Sequence, residues 1–212
     1  MIPAAPLPKV ASGDRRGAAY LAKRDPSLRT VIKQTRLAAV NVSENRFQFL
    51  VEAIIGQQLS EKAAATITRR FHALFRTGGF PSPRVVLRVS LRRIRVVGIS
   101  NAKAAYIHNV ARAVAGGKLK LKTLDRLADA EVAATLTVVK GIGPWTAEMF
   151  LIFALGRPDV FSAGDAGLQT AMRRVYGLRK PPAAAWVRRT TERWRPHRSL
   201  TCRYLWASLD NK

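Results

Sequence analysis

Apolar residues recur at helical spacing almost from end to end of this chain, and nowhere does an alternating run persist long enough to make a strand. Phe47, Leu50, Val51, Ile54 and Ile55 show the pattern: at i, i+3, i+4, i+7 and i+8 they form one stripe, while Gln48 and Glu52 point away from it. Ser43 is placed to cap that helix. Ser60 is placed to cap the next, which runs through Ala64, Ile67, Phe71 and Leu74 until Thr77-Gly78-Gly79 and two prolines stop it. Between them, Gly56-Gln57-Gln58-Leu59-Ser60 must be a tight corner. Further helices are predicted at about 13–24, 27–37, 84–95, 100–115, 129–138, 144–155, 165–176, 183–194 and 198–209. The predicted class is all-α, and 212 residues are enough for one substantial core or two small lobes packed on each other.

Charge narrows the partner. Lys and Arg number 37 against 13 Asp and Glu, a formal +24 spread along the sequence instead of gathered in a tail, which points to a polyanion. A ribosomal or chromatin-type basic protein would share that charge, but 48% apolar residues in helical register argue for a globular fold that also binds nucleic acid. Cys202 is the only cysteine, so it cannot form an internal disulfide or a cysteine-built zinc or iron-sulfur site; it is expected in the core of a thiol-tolerant protein. None of His72, His108 and His197 has a metal-spaced partner. The start lacks the long apolar run of a signal peptide, and no stretch reaches the length of a membrane span. The expectation is a soluble, cytoplasmic protein without membrane contact.

Residues 139 to 145 read Val-Lys-Gly-Ile-Gly-Pro-Trp, and twenty residues after Trp145 lies Asp165, in Ser162-Ala163-Gly164-Asp165-Ala166-Gly167. Two glycines let a backbone turn tightly and come close to another backbone. Pro144 pre-sets a first helical turn, and the amides around Gly141 and Gly143 can then face a phosphate at the positive end of that helix. The acids sort by position. Glu44, Glu61, Asp129 and Glu131 fall in first helical turns, where they complement the helix dipole. Asp165 stands at the mouth of a helix with an apolar face of Leu168, Met172 and Val175, and by position alone it reads equally well as an ordinary N-cap. Glu52, Glu148 and Asp159 are rivals for a chemical role, each open to being solvated or ion-paired.

The hairpin and Gly164-Asp165, together with Gly56-Gln57-Gln58-Leu59-Ser60, Val97-Gly98-Ile99-Ser100-Asn101-Ala102-Lys103-Ala104 and the stretch from Trp194 to Trp206, resemble the helix-hairpin-helix DNA glycosylases, DNA-3-methyladenine glycosylase II type. The resemblance runs from about residue 17 to 209, with its specific parts at 55–62, 97–104, 139–167 and 194–206. It implies a single glycosylase domain of two helical subdomains with a DNA-binding cleft between them. Residues 45–143 would form one, residues 1–44 plus 144–212 the other, and the helix-hairpin-helix would lie at about 129–155.

It also implies a monofunctional enzyme of base excision repair that flips alkylated purines, 3-methyladenine and 7-methylguanine, out of duplex DNA and hydrolyses the N-glycosidic bond. Asp165 would be catalytic, stabilising an oxocarbenium-like sugar and orienting water. Bifunctional relatives carry a lysine where this chain has Trp145, and an indole cannot form an imine, so no AP-lyase activity is expected. Trp145 and Trp206 would line the base pocket, where a cationic base is drawn to an indole face by roughly 1 kcal/mol or more. Trp186 and Trp194 read as core. Gln58 is the expected wedge into the flipped-out gap, with Leu59 the next choice, and Gln57, Ser60, Ser100, Lys103, Lys140, Gly141 and Gly143 complete the DNA-binding set.

No cofactor is required by the family; a structural monovalent cation, sodium or potassium, would sit on the backbone carbonyls of Thr137, Val139 and Ile142. The expected partner is double-stranded DNA with damaged bases, bound by a monomer that hands its abasic product to an AP endonuclease, at the nucleoid in a bacterium or in the nucleus of a eukaryote. Ala166 and Met149 stand where some relatives place tyrosines, which leaves base range open. The sequence holds no counterpart of the four-cysteine cluster of some endonuclease members, and the β-rich N-terminal domain of longer relatives is not expected. Two alternatives stand beside this reading: a glycosylase for hypoxanthine, etheno adducts or uracil, and a non-catalytic helix-hairpin-helix module that binds DNA or senses damage.

Overall fold

The structure, a computed structural model, describes residues 12–37, 42–75 and 78–209. Its regular elements are helices: α1 (Ser12–Arg24), α2 (Pro26–Gln34), α3 (Arg46–Gly56), α4 (Glu61–His72), α5 (Pro83–Leu87), α6 (Leu91–Val96), α7 (Asn101–Ala115), α8 (Asp129–Thr137), α9 (Pro144–Met149), α10 (Ala166–Val175), α11 (Ala184–Glu192) and α12 (Arg198–Ala207). Among the described residues there is no strand. The all-α expectation holds.

Capping chemistry sets most boundaries. Ser60 caps α4 as expected, its hydroxyl accepting from the Ala63 amide. Helix α3 is capped by Asn45 instead of Ser43: the Asn45 side chain accepts from Gln48 N at 3.0 Å, while Ser43 donates its hydroxyl to the Asn45 carbonyl. The helix predicted at 84–95 is two short ones, because the Ser90 hydroxyl oxygen accepts from Arg93 N and restarts the helix as α6. A 3-10 helix at Leu121–Arg126 went unpredicted, although Leu121 and Leu124, both buried and three apart, carry its period. Helix α9 runs on into one π turn, Phe150–Ala154, closed by Leu155 N on the Phe150 carbonyl at 3.0 Å.

The described residues divide into two contact-dense units: those of 42–155 form one, and 12–37 with 156–209 form the other. In the middle unit α3 is buried nearly all round, through Phe47, Phe49, Leu50, Val51, Ala53, Ile54 and Ile55, and packs on α4, α7, α9 and the π turn. An aromatic cluster of Phe71, Phe75 and Phe80 closes one end. The second division falls after Leu155, not before Pro144, so α9 belongs with the hairpin that precedes it. Ala147, Met149 and Phe150 are buried there, Phe150 edge-on to Phe49, and Ser43 N donates to Phe153 O.

The flanking unit packs α1 on α2, and α12 on α1, α2 and α10. Asp25, 1% exposed, organises it. Its side chain caps α2 through the amides of Ser27 and Leu28, and its second oxygen accepts from the Tyr176 hydroxyl and from Trp194 Nε1 at 3.0 Å. Burial, then the hydrogen bond to Asp25, push the Tyr176 phenol far above its ordinary range. Trp194 and Cys202 are fully buried, as expected of core residues, whereas Trp186 is half-buried with its ring edge-on to Tyr176.

Candidate active site

Asp165 occupies the N-cap of α10 with extended backbone, φ −73 and ψ 121. One carboxylate oxygen, Oδ1, accepts two hydrogen bonds: from Leu168 N at 2.7 Å and from Trp206 Nε1 at 2.9 Å. The first is the ordinary cap. The second ties the carboxylate to α12 across 41 residues of chain, which no spacing rule connects. The side chain is half-buried, and the positive end of α10 favours negative charge at this position. Trp206, assigned by resemblance to base stacking, is thus also a hydrogen-bond donor to the carboxylate it was expected to stand beside.

Gly167 leaves that contact room. A Cβ there would fall 3.0 Å from Asp165 Oδ1 and 3.3 Å from Trp206 Cδ1, close enough that the carboxylate or the indole would have to shift by a few tenths of an ångström. Sequence reasoning passed over Gly167, though a glycine inside a first helical turn costs helix stability and so signals a close approach. The rival acids have other partners. Asp159 takes a forked pair from Arg198, Nε to Oδ1 at 2.8 Å and Nη2 to Oδ2 at 3.1 Å. Glu52 Oε1 accepts from Gln48 Nε2 at 2.9 Å and lies 3.2 Å from His72 Nε2. Glu148 is half-buried on α9.

In the middle unit, α8 and α9 flank the hairpin expected at 129–155. Gly141 has φ +113, and a Cβ there would sit 2.3 Å from Tyr106 Cβ, so both backbone and space demand glycine. Gly143 differs: its φ is −90, it is the N-cap of α9, and a Cβ would meet nothing within 4 Å. The hairpin rests on α7, where Tyr106 backs Gly141 and Asn109 Nδ2 donates to the Lys140 carbonyl at 3.1 Å. Neither α7 residue was legible beforehand. The Lys140 side chain is exposed, and Trp145 is half-buried on the first turn of α9.

The corner after α3 splits into inward and outward residues. Gln57 turns inward, its Nε2 donating to the Gly141 carbonyl and to Thr146 Oγ1, each at 3.2 Å. Gln58 is exposed and takes φ +56, the one described non-glycine residue in the left-handed region. Leu59 is half-buried and Ser60 exposed. Lys103, expected on phosphate, spends its ammonium on the end of α3 instead: Nζ donates to Ile55 O at 2.9 Å and Gln57 O at 2.6 Å. Those carbonyls lie past the helix ladder and need donors, and burial pulls the lysine below its ordinary range. Ser100 caps α7 through Lys103 N.

Among the described residues no group of three or more His, Cys, Asp or Glu is placed to hold a metal. No helix of the structure is long and apolar enough to cross a membrane.

Comparison with known proteins identifies the family. A family model described as HhH-GPD superfamily base excision DNA repair protein matches residues 51–196. DNA-3-methyladenine glycosylase 1 of Schizosaccharomyces pombe is 35% identical over 161 residues, 76% of this chain and 71% of that protein. A Bacillus subtilis protein provisionally named a DNA-3-methyladenine glycosylase is 34% identical over 169 residues, 77% of this chain but 59% of its own length, so the chain spans about three-fifths of that relative. Among solved structures, the S. pombe 3-methyladenine DNA glycosylase in complex with abasic DNA matches with a TM-score of 0.85 at 29% identity, over 92% of this chain and 97% of that one. The chain belongs to the HhH-GPD superfamily of base excision DNA repair proteins.

Proposed function

We propose that this protein is a monofunctional DNA-3-methyladenine-type glycosylase, releasing 3-methyladenine and 7-methylguanine from duplex DNA by base flipping and hydrolysis. The observation that carries the reading is the Asp165 carboxylate, held at the mouth of α10 by the Leu168 amide and the Trp206 indole. Alkylation at N3 or N7 makes the purine cationic, so the C1′–N bond breaks with its electron pair going to the base, which leaves neutral. The sugar becomes oxocarbenium-like, and a fixed negative charge beside it lowers the barrier without a general acid for the base. Water then bonds to C1′ and gives up a proton towards Asp165. The acceptor strength of one carboxylate suffices.

Trp145 and Trp206 are the indoles proposed to meet the cationic base. Trp145 stands where strand-cutting relatives carry lysine and cannot form a Schiff base, which supports release without lyase activity. Gln58, exposed and in a strained left-handed conformation, is the proposed wedge. The amides at Gly141 and Gly143 are the proposed phosphate grip, and the open side of Gly143 leaves room for an approaching backbone. The carbonyls of Thr137, Val139 and Ile142 are hard neutral donors of the kind sodium or potassium takes, with Val139 O also accepting from Ile142 N at 3.0 Å. Lys103 and Gln57 we assign to bracing the corner, not to contacting DNA. The protein is proposed to act as a monomer on chromosomal DNA, leaving the abasic site to an AP endonuclease.

The test is direct. Incubated with methylated duplex DNA, the protein should free both bases and leave sites that alkali cleaves, with no protein–DNA adduct on borohydride treatment. Absence of base release, preference for uracil, hypoxanthine or etheno lesions, or a trapped adduct would each overturn the corresponding part.

A further inference from the structure

Between Glu61 and Asp125 the chain carries fourteen lysines and arginines and not one acidic residue. Five of them, Arg84, Arg88, Arg92, Arg93 and Arg95, lie on α5, α6 and the link joining these helices, all exposed. Among the described residues none of the five is in an ion pair. Ordinary protein surfaces intersperse both signs, which offsets the repulsion that unrelieved like charges create. Here nothing nearby in sequence could.

The segment is nonetheless well anchored. Val86 and Ile94 are fully buried, α5 and α6 both pack on α7, and His108 of α7 donates Nε2–H to the Val89 carbonyl at 3.0 Å. Tyr106, which backs the hairpin at Gly141, is two residues from His108 and so about 200° away around α7. The arginines face outward from α5 and α6, so α7 and one further helix lie between them and the hairpin, roughly two helix diameters, about 20 Å. That distance is about six base-pair steps of duplex at 3.4 Å each, past either end of a duplex of about 10 base pairs centred on the hairpin.

We propose that the outer face of α5 and α6 is a second DNA-backbone site, taking phosphates outside the stretch gripped by the hairpin. It rests on the reading that the protein acts on duplex DNA, and adds a contact that persists when the hairpin lets go, so that the protein stays on undamaged DNA between lesions. Guanidinium groups on phosphate gain by counterion release and need no apolar anchor. An acidic protein partner fits less well, since protein interfaces are carried by buried aromatic anchors, and the large apolar side chains exposed on this segment are only Leu91 and Val96.

The experiment replaces all five arginines with glutamine, and in a second variant with lysine, and measures affinity against salt on an undamaged 40-base-pair duplex and on one of about 10 base pairs. Thermal unfolding of each variant checks folding. The glutamine variant should show a log–log salt slope on the long duplex shallower by roughly 2 to 4, at about 0.9 per lost phosphate contact, and the lysine variant should restore it. On the short duplex at one-to-one stoichiometry the variants should match wild type. If the phosphates belong to a second duplex instead of a flank, wild type will bind two short duplexes and the glutamine variant one. Slopes and stoichiometry unchanged on both DNAs would overturn the proposal, leaving an acidic protein as the alternative. An equal loss on the short duplex would also overturn it, by making the arginines part of the hairpin's own grip. A wild type that binds no duplex would instead remove the DNA reading itself.

Discussion

At the scale of single residues, the account turns on how Asp165 is held. Its Oδ1 receives both the α10 amide and the Trp206 indole, so rotation of the carboxylate is restricted from two directions. Trp206→Phe keeps a ring in place and removes the donor. The loss of a hydrogen bond to a charged group, about 1.5–3 kcal/mol, should lower kcat by roughly 10- to 100-fold with a smaller change in KM. Single-turnover base release measures this, and an unchanged kcat would return Trp206 to stacking alone. The partnership was hidden in the sequence because positions 165 and 206 are joined only by tertiary packing of α10 on α12. The identity of the two residues was readable from motifs; their bond was not. Gly167 was the missed clue, a glycine in a first helical turn where Asp165 and Trp206 both come close.

At the scale of elements, the hairpin's two glycines have separable duties. Gly141→Ala combines a left-handed φ with a clash into Tyr106, and should cost about 2 kcal/mol or more in chemical denaturation. Gly143→Ala meets no neighbour and trades one N-cap for a poorer one, so its stability cost should stay under about 1 kcal/mol while DNA affinity falls. Equal destabilisation by both, or undiminished affinity of the second, would contradict the division. Motif spacing gave the same weight to both glycines, because φ and neighbouring rings are not written locally. The same limit explains Lys103 and Gln57. Each carries a polar group suited to DNA, but the orphan carbonyls at the end of α3 and the hairpin carbonyl at Gly141 lie nearer. Capping serine and asparagine side chains, by contrast, act within three residues, which is why most helix starts could be read directly; Ser43 misled only because Asn45 sits closer to the first turn.

At the scale of the whole molecule, burial and charge operate separately. In the flanking unit α10 is fixed at both ends, Asp165 and Trp206 at its start and Tyr176 on Asp25 at its finish. Asp25→Ala strips partners from a buried indole, a half-buried phenol and a helix cap, and should destabilise by roughly 3–5 kcal/mol in denaturant titration. A loss below about 1 kcal/mol would show that the network is incidental. Nothing in Asp25-Pro26 announces this, beyond a cap before a proline, since Tyr176 and Trp194 reach it from 151 and 169 residues away. The placement of α9 with the middle unit was likewise beyond local pattern, being decided by the burial of Phe150 against Phe49. Helical class and basic charge were legible because both are sums over many residues, insensitive to any one contact.

The central claim is that Asp165 supplies negative charge to the reacting sugar, beyond capping α10. Asparagine caps a helix as well as aspartate and matches its shape, so Asp165→Asn removes charge with little loss of stability. Single-turnover release of 3-methyladenine from methylated duplex DNA, with DNA binding and melting temperature measured on the same preparations, separates the two roles. The account predicts release slower by about 100-fold or more with binding and melting nearly unchanged. Release at the wild-type rate would contradict it, and would leave the carboxylate as nothing more than the end of a helix.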